Sequence, residues 1–510
     1  MSEFYPYFTK DGSVGLYSKD FNDIYHSATG ALTEAYEKFI YPSNLHDILS
    51  KYDNIKVLDI CYGIGYNTKA LLNCILDYRK NISSKNNFQN QKTNKFQKFF
   101  KNFPRKITKK KFRLAKGYAP IHTNKTPLKN TNKYEAIYTD KTTKQNNLLS
   151  SNSETIYSNN IKHNKTRNYN ASLHVNKTTS IKIIFKKILQ RFIKQNTANR
   201  SNTISNNTSR IYIKAIDFDK TLSYLSPFIK TGEKSYKKFN KTIPNDKIHK
   251  YLDTDVKCEI LKIPPVINYL LLEFLMNNKP EIFTDKTVNS ILSDKIFKPF
   301  FDSNIRGIFE LYKHKMTSCK HSNGFLSLLH NIYYQHVSLS YKSRLKTYQP
   351  QEIIFDLKND DARKIILEDN NLYNLIFLDA FTPSKCPCLW SFEFFKQLYD
   401  HLAPDGMLLT YSSSASIRGA MTEAGFHIGQ IYNERTKQYF GTVAAKDKTL
   451  IKHQLSEFDL GLIKTKAGIF YRDQNLTAQN EAILLARENE VKTSTRESSS
   501  HYKKLYFTKN

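Results

Sequence analysis

Apolar residues along this chain cluster in short runs, and most of those runs are followed by a turn and an amphipathic stretch. Lys56 to Ile60, KVLDI, is a buried run that gives way to the turn CYGIGYN and the helix opening TKALLN. The same unit recurs later. IYIKAIDFD from Ile211 is a second strand ending in acids, EIIFDL a third, NLIFLDAF a fourth and GMLLTYSS a fifth, the last after a Pro404-Asp405-Gly406 turn. A helix from about Ser391 to Leu402 lies between the fourth and the fifth. Strands alternating with helices predict an α/β domain around a mostly parallel, doubly wound sheet. Two stretches break the rhythm. Residues 81–209 show little apolar periodicity. Residues 222–350 are mostly helical in pattern, with apolar clusters at Val266–Met276 and Phe325–Tyr334. The expected organisation is one domain with two insertions: 1–80 as an N-terminal substrate segment and the domain's first part, 81–209 as a largely disordered insertion, and 210–510 as the remainder, with the helical insertion at about 222–350.

Charge sharpens that division. Of the formal net charge of +32, +27 falls between Arg79 and Arg210, where 30 Lys and Arg face three acids, Glu135, Asp140 and Glu154. Lys, Asn, Thr and Ser dominate this insertion, a composition that cannot bury enough surface to fold alone. Within it, Ile181–Lys194 spaces its apolar residues for a basic amphipathic helix, suited to packing on the main domain, to RNA or to a membrane surface. Lys and Asn also rise together under neutral expansion in an adenine- and thymine-rich genome. The six cysteines have no C-x-x-C spacing and do not suggest a disulfide framework. Cys386-Pro-Cys388 without His partners does not make a metal site, so no metal is expected. The start has no secretory pattern, and the richest apolar run is too short to span a bilayer. A soluble cytoplasmic protein without membrane partners is expected.

Candidate chemistry gathers at the strand ends. Ligands of doubly wound folds sit outside the carboxyl ends of the strands, and there the fourth strand ends on Asp379 before a Pro-rich loop. Gly63 and Gly65 form the chain's one G-x-G, after a strand that ends near Asp59. Glycines let the backbone turn sharply and approach a ligand. Tyr66-Asn67 stands where a dinucleotide fingerprint has its third glycine, which favours a smaller nucleoside cofactor such as S-adenosylmethionine. Asp217 can accept both ribose hydroxyls, Asp361 can accept from the adenine amino group with Ala362 packed on the ring, and Asp379 lies near the transferred methyl.

Several stretches resemble the methyltransferase domain of the MnmC family: DFNDIYHSATGALTEAYEKFI, VLDICYGIGYN, DDARKII, FLDAFTPSKCPCLW, LLTYSSSASIRGAMTEAGF and KAGIFYRDQNLTAQNEAILLARENE. Together they cover roughly half the chain. The resemblance implies a Rossmann-like class I S-adenosylmethionine-dependent fold that forms 5-methylaminomethyl-2-thiouridine at the tRNA wobble position. It implies cofactor contacts from Gly63, Gly65, Asp217 and Asp361, with Asp379 catalytic; Asp59, Asn67 and Ala362 are further candidate cofactor contacts. Tyr25, Ser27, Gly30 and Glu34 would form the substrate side with Phe381 and Lys385. The chain departs from the family at Cys61, usually glycine, at Cys386, often Asn, and at Glu434–Lys437, where the family has GRKR-like sequence. Members are often fused to a flavin-dependent oxidase. After Lys446 no G-x-G-x-x-G occurs, so that oxidase is not expected.

The implied reaction is attack of a primary amine on a sulfonium methyl, with Asp379 orienting the amine. Lys385 is a candidate phosphate contact, and Trp390 is expected to pack beneath the loop. The tRNA would present its anticodon loop with the wobble base splayed out. Two other classes fit the same pattern: an aminopropyl transferase acting on a polyamine, and a tRNA-binding module that no longer turns over.

Overall fold

The computed structural model describes residues 4–18, 23–24, 30–81, 210–241, 252, 258–316, 325–347 and 352–509. The predicted insertion at 81–209, with its amphipathic helix at Ile181–Lys194, lies almost wholly outside the described residues, as do Tyr25 and Ser27.

Three strands open the chain: β1 (Phe4–Phe8), β2 (Val14–Ser18) and β3 (Asp23–Ile24) form a small antiparallel sheet in that order. The main sheet has seven strands: β4 (Asn54–Ile60), β5 (Arg210–Ile216), β6 (Ile353–Lys358), β7 (Tyr373–Leu378), β8 (Leu402–Thr410), β9 (His427–Asn433) and β10 (Gln438–Ala445). Their spatial order is β6-β5-β4-β7-β8-β10-β9. The first five are parallel, while β10 runs antiparallel to both neighbours. Strand order therefore reverses at β4, which has β5 on one side and β7 on the other. Such a switch point opens a crevice at the carboxyl ends of the strands.

Alternation along each strand divides the core between two faces. Val57, Ile213, Leu375, Phe377 and Leu409 point to one side, where the N-terminal segment and the helices between 220 and 346 cover them. Leu58, Ile60, Ile376, Leu378 and Leu408 point to the other, covered by the helices Ala362–Leu367, Phe392–Asp400 and Ala415–Glu423. Residues 220–346 are helical in most of their described length, including Pro265–Asn278, Ser303–Met316 and Phe325–Lys346.

Two expectations about strands shift in detail. Pro404-Asp405-Gly406 does not precede the fifth strand but lies within it: Tyr373 pairs with Leu402 and Leu375 with Met407, so the intervening residues bulge out. Gly406 fits there because a Cβ would lie 2.7 Å from the Tyr373 carbonyl oxygen. The β9–β10 hairpin and the N-terminal sheet carry no strong period-2 signal and did not emerge from the pattern. The predicted Ser391 helix is real, with Ser391 as its cap, its Oγ accepting from the Phe394 amide at 3.3 Å and donating to the Cys388 carbonyl at 3.2 Å.

Candidate functional site

The turn after β4 is shaped by three left-handed residues in a row of five: Cys61 (φ 64°), Gly63 (φ 53°) and Gly65 (φ 78°). The two glycines serve different ends. A Cβ on Gly65 would stand 2.5 Å from the Tyr62 ring and 2.6 Å from Ser226 Oγ, so this glycine lets the helix at 66–81 close on the sheet. A Cβ on Gly63 would meet nothing nearer than the Cys61 carbonyl oxygen at 4.0 Å, so its outer side is open.

Asp217, just beyond β5, binds that turn. Its Oδ2 accepts from the Gly63 amide at 2.5 Å and its Oδ1 from the Asp219 amide at 2.7 Å. Burial pushes its carboxyl up to about 7 against those two hydrogen bonds. Each oxygen still has a lone pair. Asp59 differs from its expected placement. It is 1% exposed and lies beneath the turn, where Oδ2 accepts from Thr68 Oγ1 at 2.6 Å while Oδ1 is buried with no partner. The turn folds over the end of β4, so Asp59 supports it from below. Burial, with smaller contributions from the charges of Asp379 and Asp217, raises its carboxyl to about 7.

Asp379 follows β7 directly across from the turn, its amide donating to the Ile60 carbonyl at 3.2 Å. Asn67 Nδ2 donates to Asp379 Oδ2 at 3.1 Å, so Asn67, expected to touch the cofactor, also holds the acid. Burial raises the Asp379 carboxyl to about 6. The nearby Glu34 carboxylate adds to the rise, and Lys38 and the Asn67 hydrogen bond oppose it. Glu34 and Lys38 themselves pair at 2.6 Å. The Lys38 ammonium also lies 5.7 Å from the centre of the Tyr411 ring, and Tyr411 Oη donates to the Ala380 carbonyl at 2.9 Å. Glu34 thus reaches the site on the segment Ala31–Glu34, which widens into a π-helical stretch at Ala35–Ile40. Such widening often accompanies functional sites.

The remaining predicted residues divide. Trp390 is fully buried and its Nε1 donates to the Phe381 carbonyl at 2.8 Å, so the loop is pinned from beneath. Phe381 and Lys385 are half-buried in that loop, where the Lys385 amide donates to the Thr382 carbonyl at 2.8 Å. Gly30 has a packing reason: a Cβ there would overlap the Asp11 carboxylate, which accepts from the Thr33 amide at 2.7 Å and Thr33 Oγ1 at 2.8 Å. Asp361 caps Ala362–Leu367 and is gripped by the Arg363 guanidinium at 2.6 Å. Arg363 in turn pairs with the buried Asp473 at 2.7 Å and donates to the Ala478 carbonyl at 2.8 Å. Ala362 is buried beside it.

Sequence reasoning missed Thr68, Lys38, Tyr411, Arg363 and Asp473. The i, i+4 spacing of Glu34 and Lys38 was a readable signal. The reach of Asp473 across 110 positions was not. Among the described residues no cluster of His, Cys, Asp and Glu fits a metal ion, and no helix is long and apolar enough to cross a membrane.

Residues 326–446, from the helix before β6 to just past β10, match the model of an S-adenosyl-L-methionine-dependent methyltransferase family. An uncharacterised protein of Methanocaldococcus jannaschii is 29% identical over 174 residues, 32% of this chain and 48% of that protein. The tRNA 5-methylaminomethyl-2-thiouridine biosynthesis bifunctional protein MnmC of Burkholderia vietnamiensis is 32% identical over 79 residues, 16% of this chain and 12% of its own length. The chain thus matches about half of the first relative and a small part of the second. A crystal structure of MNMC2 from Aquifex aeolicus superposes with a TM-score of 0.44 at 15% identity, covering 97% of this chain and 87% of that one.

Proposed function

Because this chain carries an MnmC-like S-adenosyl-L-methionine-dependent methyltransferase domain, we propose that it methylates the primary amine of 5-aminomethyl-2-thiouridine at the tRNA wobble position. The observation that carries the reading is Asp379. It is a carboxylate raised to about 6, fixed by Asn67 and set across from an open glycine turn at the strand-order reversal.

The residues present suit the cofactor. Gly63 leaves space on its outer side, Asp217 keeps lone pairs for two ribose hydroxyls, and Asp361 with Ala362 starts the helix at the next strand end, where an adenine would lie. When bound there, the cofactor supplies an electrophilic methyl. The chain supplies the rest. Asp379 as carboxylate accepts a hydrogen bond from the amine, holds it in its neutral, nucleophilic orientation and takes up charge as the nitrogen becomes positive. Glu34 beside it adds negative potential that favours a cationic product, and Lys38 keeps Glu34 from drifting. Trp390, by pinning the loop, fixes the position from which Asp379 acts, and correct placement alone is a large part of such rate enhancements.

The reading implies a soluble enzyme that meets tRNA in the cytoplasm and receives its aminomethyl substrate from another activity. Incubation with labelled methyl donor and tRNA lacking the modification should move label into the wobble nucleoside. Label in a polyamine would favour an aminopropyl-transferase-like site, and no label in any acceptor would favour a binding module.

A pH dependence follows from Asp217. With its carboxyl raised to about 7, the free protein is part-protonated at pH 6.5. Ribose hydroxyls donate best to the ionised form, so cofactor binding releases a proton. Affinity should rise up to about tenfold per pH unit below 7 and level off above it. Calorimetry in buffers of different ionisation heat reads that proton directly; an affinity flat from pH 5.5 to 8 contradicts the assignment.

A further inference from the structure

We infer that the cleft between the helical segment at 31–40 and the β9–β10 hairpin holds an unpaired nucleobase of the RNA next to the one being modified, an inference that rests on the tRNA reading above. The cleft has a volume of about 500 Å³, within the ~300–1,000 Å³ usual for ligand clefts. One segment serves both the cleft and the reacting site. Thr33, Tyr36 and Glu37 line the cleft, while Glu34 and Lys38 on the same segment act on Asp379. One helix diameter, about 10 Å, separates the two sides. A nucleotide adjoining the target in a single-stranded loop can cover that span.

The lining suits a base. Aromatic rings come from two separate elements. Tyr36 stacks on Tyr41 with centroids 5.6 Å apart and planes at 27°, and Tyr41 remains 68% exposed. Across the chain, the lining rings Tyr432 and His453 lie 5.4 Å apart, and Tyr439, outside the lining, packs on both. Exposed ring faces at a cleft are the platform on which single-stranded bases stack. Gln430 and Asn433 add amide groups that can meet a base edge. Charge argues against an ammonium or a phosphate as the occupant. Glu37 is paired with Arg435 at 2.6 Å and Glu434 with Lys437, just outside the lining, at 3.0 Å; the other charged lining groups, Glu259 and Lys452, are one of each sign, so the cleft's charges largely cancel. A neutral, flat, hydrogen-bonding group fits best.

The test uses the full chain and an RNA hairpin with an anticodon-sized loop carrying 2-aminopurine at one loop position at a time. On binding, the fluorescence at one position beside the target should be quenched by stacking. Tyr41→Ala and Tyr432→Ala should each abolish that quenching and weaken hairpin binding by roughly tenfold, while Tyr432→Phe, which keeps the ring, retains both. Unchanged affinity for the methyl donor and an unchanged thermal midpoint show that the variants are folded. Hairpin affinity within twofold of the parent in both alanine variants, or quenching that persists in them, overturns the inference. Position-specific quenching in a protein that moves no label into tRNA would instead sink the methyltransfer reading and leave the cleft assignment standing.

Discussion

Asp379→Asn should lower methyl transfer by about 10²- to 10⁴-fold and leave affinity for the methyl donor within a few-fold of the parent. The substitution keeps size and a hydrogen-bonding side chain beside Asn67, so the loop stays in place. What is lost is a charge that can accept from the amine. The parent should also show an acid limb. Its Asp379 carboxyl is raised from the ordinary carboxylate range to about 6, so it is ionised at pH 7.5 and protonated below 6. Activity at saturating donor should therefore fall about tenfold per pH unit below that point. Glu34→Gln removes the nearby negative charge and frees Lys38, and both changes favour the ionised Asp379. The acid limb should then move to lower pH. Single-turnover transfer measured from pH 5 to 8 checks both statements; an Asp379→Asn variant as active as the parent removes the acid from the mechanism.

The fold and the site were legible in the sequence to different extents, for physical reasons. Parallel strands buried on both faces produce apolar runs, unbroken at Leu375–Leu378 and interrupted only by Asp59 at Val57–Ile60, and those runs located the sheet. Strand ends were legible as well, because an acid after such a run has few places to go except the crevice. That logic found Asp217 and Asp379. It could not tell an acid that faces the crevice from one that lies under it. Asp59 sits beneath the turn because the chain reverses immediately after β4, and the left-handed conformation that drives the reversal begins at Cys61, whose own side chain does not signal it although glycine is usual there in the family it resembles.

Side chains that act through others were the least legible. Asn67 looked like part of a glycine motif, yet its partner is 312 positions away. Arg363 carries no signal of its own in the sequence. The structure uses it to lock Asp361 to Asp473, which ties the segment around Asp473 to the helix that follows β6. A pairwise ion contact between distant segments has no periodicity, so no pattern along the chain can reveal it. Gly30 shows the converse: expected on the substrate side, it has a demand from packing, since Asp11 occupies the space where a side chain would stand.

The two glycines of the turn should respond differently to the same change. Gly65→Ala combines a left-handed backbone, which costs about 1–2 kcal/mol for a residue with a Cβ, with a methyl 2.5 Å from the Tyr62 ring and 2.6 Å from Ser226 Oγ. Crowding of that kind adds about 1–3 kcal/mol, so a loss of about 3 kcal/mol is expected, read as a lower denaturation midpoint. Because Tyr62 Oη also bonds Ser226 at 2.8 Å, the shift would spread into the helical covering of the sheet. Gly63→Ala carries only the backbone cost, about 1 kcal/mol, since its outer side is open. Its new methyl would stand where the methyl donor is expected, so donor affinity should fall by more than stability does. If Gly63→Ala bound the donor as tightly as the parent, the space outside that glycine would not belong to the cofactor, and Asp217 would be left gripping a turn for structural reasons alone.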